Sequence, residues 1–291
     1  MRAELLFDLK LELGESPVYD AEKARMIWVD IPNGSVYVFE EKTGKLKAHS
    51  VGALLANVVL CRNGGYIVAM QDGLYFADDR FEKRTALGAP ENYSSDIRFN
   101  DGKCDEKGRL FIGTCSYERG AAALYRWTRE DGFTQMLSGV SISNGIVWNQ
   151  NSTKMYYVDT PTKQVCGFDY DLESGTFHNK TIVCDLRGEP GEPDGMCIDS
   201  EGMLWIAKWN GAMVSCWNPN TGEKLASVDL PVQNISACAF GGEKLSTLYV
   251  TTARFDTNEE TLSDRPLSGG IFKIETPVKG AAFNACSYSH Q

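Results

Sequence analysis

Apolar strand centres recur along this chain at a nearly constant interval. With the centre of the second strand of each unit at Trp28, Ile67, Phe111, Tyr156, Trp205 and Tyr249, the spacings are 39, 44, 45, 49 and 44 residues. In each unit a short apolar run, a polar turn and a second apolar run follow in order. Turn signals recur every ~8–12 residues, and helical periodicity is nearly absent. A period of ~40–50 residues with about four strands per unit is the signature of a radial β-propeller. Six units therefore predict an all-β, six-bladed β-propeller. The leading apolar segment Ala3–Leu9 has no unit of its own. It is expected to pair with the last blade and close the ring, removing a free sheet edge. No linker rich in Pro, Gly or Ser interrupts the chain, so residues 1–291 read as one domain. A β-sandwich with coincidental spacing is the competing reading, and six recurrences argue against it.

Charge and cysteine usage narrow the function. The net charge is −10 and the isoelectric point is near 4.9. Nucleic acid and anionic membrane surfaces both call for a basic patch, so neither is an expected partner. Nine cysteines, an odd number without CxxC pairs, fit neither a disulfide framework nor a zinc finger. They read as small buried hydrophobes in a reducing compartment. The first residues, MRAELLFDLKLELGESP, carry acids within their apolar stretch and lack a signal-peptide core. No apolar run approaches the ~18 residues of a membrane helix. The expected location is cytoplasmic. A closed ring has few exposed edges, so the chain is expected to be a monomer.

Residues at one phase of a radial repeat lie on one ring around the axis. That phase carries Glu15, Asn57, Asn100, Asn144, Asp194 and Ser236. Two carboxylates and three amides are costly to bury alone. A hard divalent cation offsets the cost, because carboxylates neutralise it and amide oxygens fill further positions. Oxygen ligands favour Ca²⁺, Mg²⁺ or Mn²⁺, with Zn²⁺ or Fe²⁺ also admissible. Asn-Gly and Asp-Gly are also ordinary turn dipeptides. Here, however, they precede an inner strand, and Glu15 at the same phase is no turn former. Arg98 shares the parity of Asn100 and could face the channel to hold a carboxylate or oxyanion. A surface ion pair with Asp96 or Glu91 is its alternative. Glu118 falls in a loop at one mouth of the ring, with Tyr117 beside it. Asp30, Asp159 and Lys208 end second strands and read as strand-end hydrogen-bond partners. The three histidines, His49, His178 and His290, all miss the inward phase, which disfavours histidine-zinc sites and a Ser-His-Asp triad. There is no phosphate-binding loop and no G-x-S-x-G elbow.

Several of these stretches resemble the regucalcin and gluconolactonase family, also called senescence marker proteins. They include Leu13-Gly14-Glu15-Ser16-Pro17, Arg98-Phe99-Asn100-Asp101-Gly102-Lys103 and Ile142-Ser143-Asn144-Gly145. Pro193-Asp194-Gly195-Met196-Cys197-Ile198-Asp199 and Gly269-Gly270-Ile271-Phe272-Lys273-Ile274 belong to the same pattern. The resemblance runs through essentially the whole chain in order. It implies a six-bladed propeller with one divalent cation in the channel, and hydrolysis of sugar lactones. By resemblance the metal ligands are Glu15, Asn144 and Asp194, with Asp194 also the general base. The substrate-binding residues are Arg98, Asn100 and Glu118. One departure is the segment Glu118–Leu124, which is shorter than in animal members.

The expected reaction is opening of an aldonolactone to its aldonic acid, a step of carbohydrate metabolism. The cation would polarise the carbonyl and acidify water, Asp194 would take the proton, and Arg98 would face the oxyanion. Asn100 and Glu118 would orient ring hydroxyls. Two other functions share the fold class: a non-enzymatic calcium-binding regulatory propeller, and an esterase or phosphotriesterase.

Overall fold

The computed structural model describes residues 1–52, 54–91 and 93–289. It forms six four-stranded antiparallel sheets arranged as the blades of a propeller. The innermost strands are Gly14–Asp20, Leu55–Leu60, Ile97–Cys104, Ser143–Trp148, Glu192–Ile198 and Asn234–Gly241. They touch one another in a closed cycle, blade 1 against blade 6 included. The outermost strands of blades 1 to 5 are Lys45–Ser50, Arg84–Gly88, Gly132–Val140, Thr176–Asp185 and Lys224–Asp229.

Closure follows the expectation. Ala3–Phe7 is the outermost strand of blade 6, antiparallel to Ile271–Glu275, with Ala3 opposite Ile274 and Leu5 opposite Phe272. The first and last of the strands described are thus hydrogen-bonded into one sheet, which leaves no blade incomplete.

Six apolar clusters occupy the six blade interfaces among the described residues. Val18, Ile27 and Val29 of blade 1 meet Val58, Tyr66 and Val68 of blade 2. Across the closing interface, Tyr19, Met26 and Trp28 meet Ala239, Tyr249 and Ile271. The four remaining interfaces are built alike. The middle strands are buried on both faces, and this explains their near-continuous apolar runs, such as Met26-Ile27-Trp28-Val29. Each such side chain contributes about 1.5–3 kcal/mol on burial.

After Glu275 the chain crosses the end of the channel reached by the later residues of the inner strands. Gly280 N–H donates to Leu245 O (2.7 Å), Ala281 N–H to Ile198 O (3.1 Å), Cys286 N–H to Leu60 O (2.7 Å) and Ser287 N–H to Gly108 O (2.9 Å). This tail therefore straps blades 6, 5, 2 and 3 together. A short α-helix, Glu259–Asp264, lies largely exposed and is capped by Asn258.

Candidate functional site

One irregularity repeats in all six blades. Pairing between the inner and second strands slips by one residue at the same phase. The slips fall between Glu15 and Val18, Leu55 and Asn57, Phe99 and Gly102, Ser143 and Ile146, Pro193 and Met196, and Ile235 and Ala237. Each slip is a β-bulge, which bends the strand and re-aims the side chains it carries. Glu15, Asn57, Asn100, Asn144, Asp194 and Ser236 all fall within these bulges or at their edge. The candidate residues thus sit inside the inner strands, not ahead of them as the sequence suggested. The glycines that follow are also not turn glycines. A Cβ on Gly145 would stand 2.5 Å from the Cβ of Met196, and one on Gly195 would stand 2.5 Å from the Cβ of Ala237. They are needed because neighbouring inner strands approach too closely for a side chain.

The bulge residues are buried, and their polar atoms are organised. Arg98 donates through one terminal nitrogen to Asn100 Oδ1 (2.6 Å) and to Phe99 O (3.0 Å). Asn100 Nδ2 donates to Asn144 Oδ1 (3.0 Å) and Ser143 O (2.7 Å). Asn144 Nδ2 donates to Thr160 Oγ1 (2.8 Å), and Thr160 Oγ1 donates to Pro193 O (2.9 Å). A one-way relay therefore runs from Arg98 through Asn100 and Asn144 to the residue before Asp194. It fixes the amide orientations and directs the Asn144 oxygen towards Asn100. Asn57 donates to Gly102 O (3.2 Å) and Ser236 to Gly14 O, so these two tie adjacent inner strands together.

The carboxylates lack such balance. Glu15 accepts from Ser16 N–H (3.0 Å), while Asp194 Oδ1 is buried without a hydrogen-bond partner among the described residues. Burial first, and then the charge of Asp101, push Glu15 up to about 8. Burial, then Glu15 and then Asp101, push Asp194 well above the carboxylate range, and Arg98 pulls it back only in part. Asp101 is a third buried acid that the count of two carboxylates missed. Its Oδ1 accepts from Gly102 N–H (2.8 Å) and its Oδ2 has no partner among the described residues.

This donor chemistry fits a hard divalent cation. Two buried acids, Glu15 and Asp194, whose charges oppose each other, an orphaned carboxylate oxygen and an oriented amide oxygen are what such an ion compensates. Among the described residues no group of three or more His, Cys, Asp or Glu side chains is gathered as a ligand cluster. The set of Glu15, Asn144 and Asp194 reaches three donors only through an amide.

Other expectations resolve as follows. Arg98 joins the relay instead of an ion pair with Asp96 or Glu91. Glu118 is exposed in the loop after the second strand of blade 3, its N–H donating to Ser116 Oγ (3.1 Å), and Tyr117 is fully exposed. His49 and His178 lie on outermost strands, and His290 lies outside the described residues. Asp30 accepts from Leu13 N–H (3.0 Å) and Asp159 from Ile142 N–H (3.0 Å), as strand-end partners should. Lys208 departs from that role, because its amine is buried with no hydrogen-bond partner among the described residues. Thr160 was not singled out in the sequence. It lies in a 3-10 turn, Thr160–Thr162, whose Thr-Pro-Thr composition resembles any loop.

Fold and site together define a six-bladed propeller with an acidic, amide-lined channel. Residues 13–254 match the family described as SMP-30/Gluconolactonase/LRE-like region, and the chain belongs to that family. Human regucalcin is 36% identical over 290 residues, covering 97% of each chain. A Bacillus subtilis protein provisionally named a sugar lactone lactonase is 35% identical over 285 residues, covering 96% of this chain and 97% of its own. Among solved structures, a luciferin-regenerating enzyme superposes with a TM-score of 0.92 at 25% identity, covering 98% of this chain and 99% of its own. A calcium-binding regucalcin from Agrobacterium tumefaciens gives a TM-score of 0.91 at 25% identity, covering 97% and 96%.

Proposed function

We propose that residues 1–291 form one propeller domain that hydrolyses a sugar lactone to its aldonic acid with the help of a divalent cation. The observation that carries this reading is the buried acid pair Glu15 and Asp194, unbalanced by charge, beside the Arg98–Asn100–Asn144 relay. Membership in a family whose description includes gluconolactonase, and a relative named as a lactonase, support it. Glu15, Asn144 and Asp194 are the residues that would hold the ion. When bound, it would supply Lewis acidity towards the lactone carbonyl and towards water.

The chain's own residues do the rest. Asp194, whose free oxygen has no other partner, takes the proton of the attacking water. Burial makes that carboxylate a stronger base than an exposed one. Arg98 is held by Asn100 and the Phe99 carbonyl, so its charge is pre-aimed at the developing oxyanion at little reorganisation cost. Asn100 orients the ring through a hydroxyl, and Glu118 meets hydroxyls from the exposed loop at the channel mouth. The expected setting is cytoplasmic, with the chain acting as a monomer. No helix among the described residues is long and apolar enough to cross a membrane.

Acid release from a panel of aldonolactones, followed by pH-stat with and without chelator, tests the reading. Release that stops on chelation and returns with added Ca²⁺, Zn²⁺, Mn²⁺, Mg²⁺ or Fe²⁺ is the expected result. Calcium binding without turnover would instead favour a regulatory propeller. Faster turnover of organophosphate esters than of any lactone would favour an esterase of the same fold.

A further inference from the structure

Behind the polar ring, at the end of the channel crossed by the tail, lies a cavity of about 440 Å³. That volume is within the ~300–1,000 Å³ usual for small-molecule sites. All six inner strands reach it. Val18, Val58, Val147, Met196 and Ala237 come from five blades, and Asp101 and Lys103 come from blade 3. The tail adds Phe283 to the wall, and Ala282 and Asn284 at the rim. Ala282 and Asn284 are exposed, as are Glu106 and Gln150 opposite them, so the cavity is reachable from solvent past this rim.

Most polar groups of the lining are already committed. Lys103 donates its amine to the Met196 carbonyl. Glu106 accepts from Ser152 Oγ (2.7 Å), and Gln150 donates to Ser200 O (2.6 Å). Asn149 Oδ1 accepts from Thr153 N–H (2.9 Å) and Lys154 N–H (2.9 Å). Asp101 is different. It is only 8% exposed, and its Oδ2 is the buried side-chain oxygen of this wall that lacks a partner among the described residues. A buried carboxylate oxygen without a donor is costly, and a ligand that brings a donor removes the cost.

The rest of the wall decides which donor. A hard divalent metal takes six or more oxygens, and one acid among valines and a methionine does not supply them. An anion would meet the charge of Asp101. A neutral polyol would find few partners for its hydroxyls on Val18, Val58, Val147 and Ala237. A primary ammonium on a short aliphatic chain suits both parts. Its N–H groups reach a carboxylate through charge-assisted hydrogen bonds, and its hydrocarbon covers the apolar wall. The net charge of −10 also favours approach of a cation.

We propose that this cavity binds a small aliphatic ammonium, with the nitrogen on Asp101 and the chain against Val18, Val58, Val147 and Met196. The site is separate from the ring that would hold the metal ion, although Asp101 follows Asn100 directly and Met196 follows Asp194 by two residues. The inference is independent of the lactone reading.

Calorimetric titration of the full-length protein with n-pentylammonium, pentan-1-ol and pentanoate tests it. Saturating Ca²⁺ is present throughout, to keep the ammonium off Glu15 and Asp194. The ammonium should bind at least tenfold more tightly than the alcohol, and pentanoate should not bind. Asp101→Asn should reduce the ammonium to the level of the alcohol. Ala282→Trp, which narrows the exposed rim, should weaken ammonium and alcohol alike by at least tenfold, with an unchanged melting curve. Should Asp101→Asn fail to fold, the rim variant and the ligand series still decide. No binding of the ammonium, equal binding of all three ligands, or ammonium binding untouched by Ala282→Trp would overturn the proposal. So would an Asp101→Asn variant that loses Ca²⁺ affinity in parallel, because Asp101 would then belong to the ion-holding ring.

Discussion

The two ends of the channel are built from the same six strands and are opposite in character. At one end the bulges turn Glu15, Asn100, Asn144 and Asp194 into a buried polar ring with an unpartnered carboxylate oxygen. One to three residues later the same strands present Val18, Val58, Val147, Met196 and Ala237 to a cavity that the tail partly walls, with Asp101 and Lys103 of blade 3 the charged groups among these strands' contributions. The first end holds charge at a cost to stability, and the second recovers stability through packing. The bulge separates the two by shifting the side-chain phase within a few residues. A propeller can thus carry a strained site, because the blade interfaces that hold it are independent of the residues that do chemistry.

Several substitutions test whether the ends are as separate as this comparison requires. The largest expected effect is at the polar end. Asp194→Ala should lower lactone hydrolysis by roughly 10³-fold or more, as loss of a general base and ligand would. The same variant should melt no lower than the parent in chelator, because a buried unpaired acid has been removed. Phe240→Ala, at the apolar end, should do the reverse. Phe240 is buried beside Trp205 and the tail, and its loss should cost about 3–5 kcal/mol in denaturant unfolding. Calorimetric cation affinity of the folded protein should stay unchanged.

A smaller effect is expected from the relay. Thr160→Val removes the acceptor that holds Asn144 Nδ2, and should weaken cation binding by about 10–100-fold. Thr160→Ser should restore it. If Val and Ser behave alike, the relay does not orient Asn144.

Lys208 gives the smallest effect, with opposite sign. Burial holds its amine down at about 8 against 10.5 for an exposed lysine. The folded state therefore loses this proton before the unfolded state does. Its penalty is full below about pH 8 and fades as pH rises from there towards 10.5. Lys208→Met should stabilise the protein by about 1–3 kcal/mol at neutral pH and flatten that rise. Urea titrations at pH 7 and pH 9.5 would show both.

The parts legible in the sequence were those with a period. Middle strands buried on both faces announce themselves by unbroken apolar runs, and the ring residues recur at one phase, three of them (Glu15, Asn144 and Asp194) with glycine beside them. The outermost strands were not located individually, because segments such as Lys45–Ser50 and Thr176–Asp185 are largely exposed and carry little apolar signal. The bulges leave no residue signature of their own. The tail, Gly280-Ala281-Ala282-Phe283-Asn284-Ala285-Cys286-Ser287, has neither strand nor helix period, since it binds by backbone groups to four different blades. Asp101 was passed over beside Asn100 because strict alternation puts neighbours on opposite faces, and a bulge suspends that rule. Lys208 was misjudged because its strand-end position resembles that of Asp30 and Asp159, whereas burial without a partner is a tertiary fact.

The central claim is that Glu15, Asn144 and Asp194 hold one cation. Crystals soaked in manganese, measured for anomalous scattering, test it most directly. The account predicts one strong peak within ~2.0–2.6 Å of an oxygen from each of the three side chains. No peak in the channel, or a peak bound by other residues while these three point apart, would contradict it.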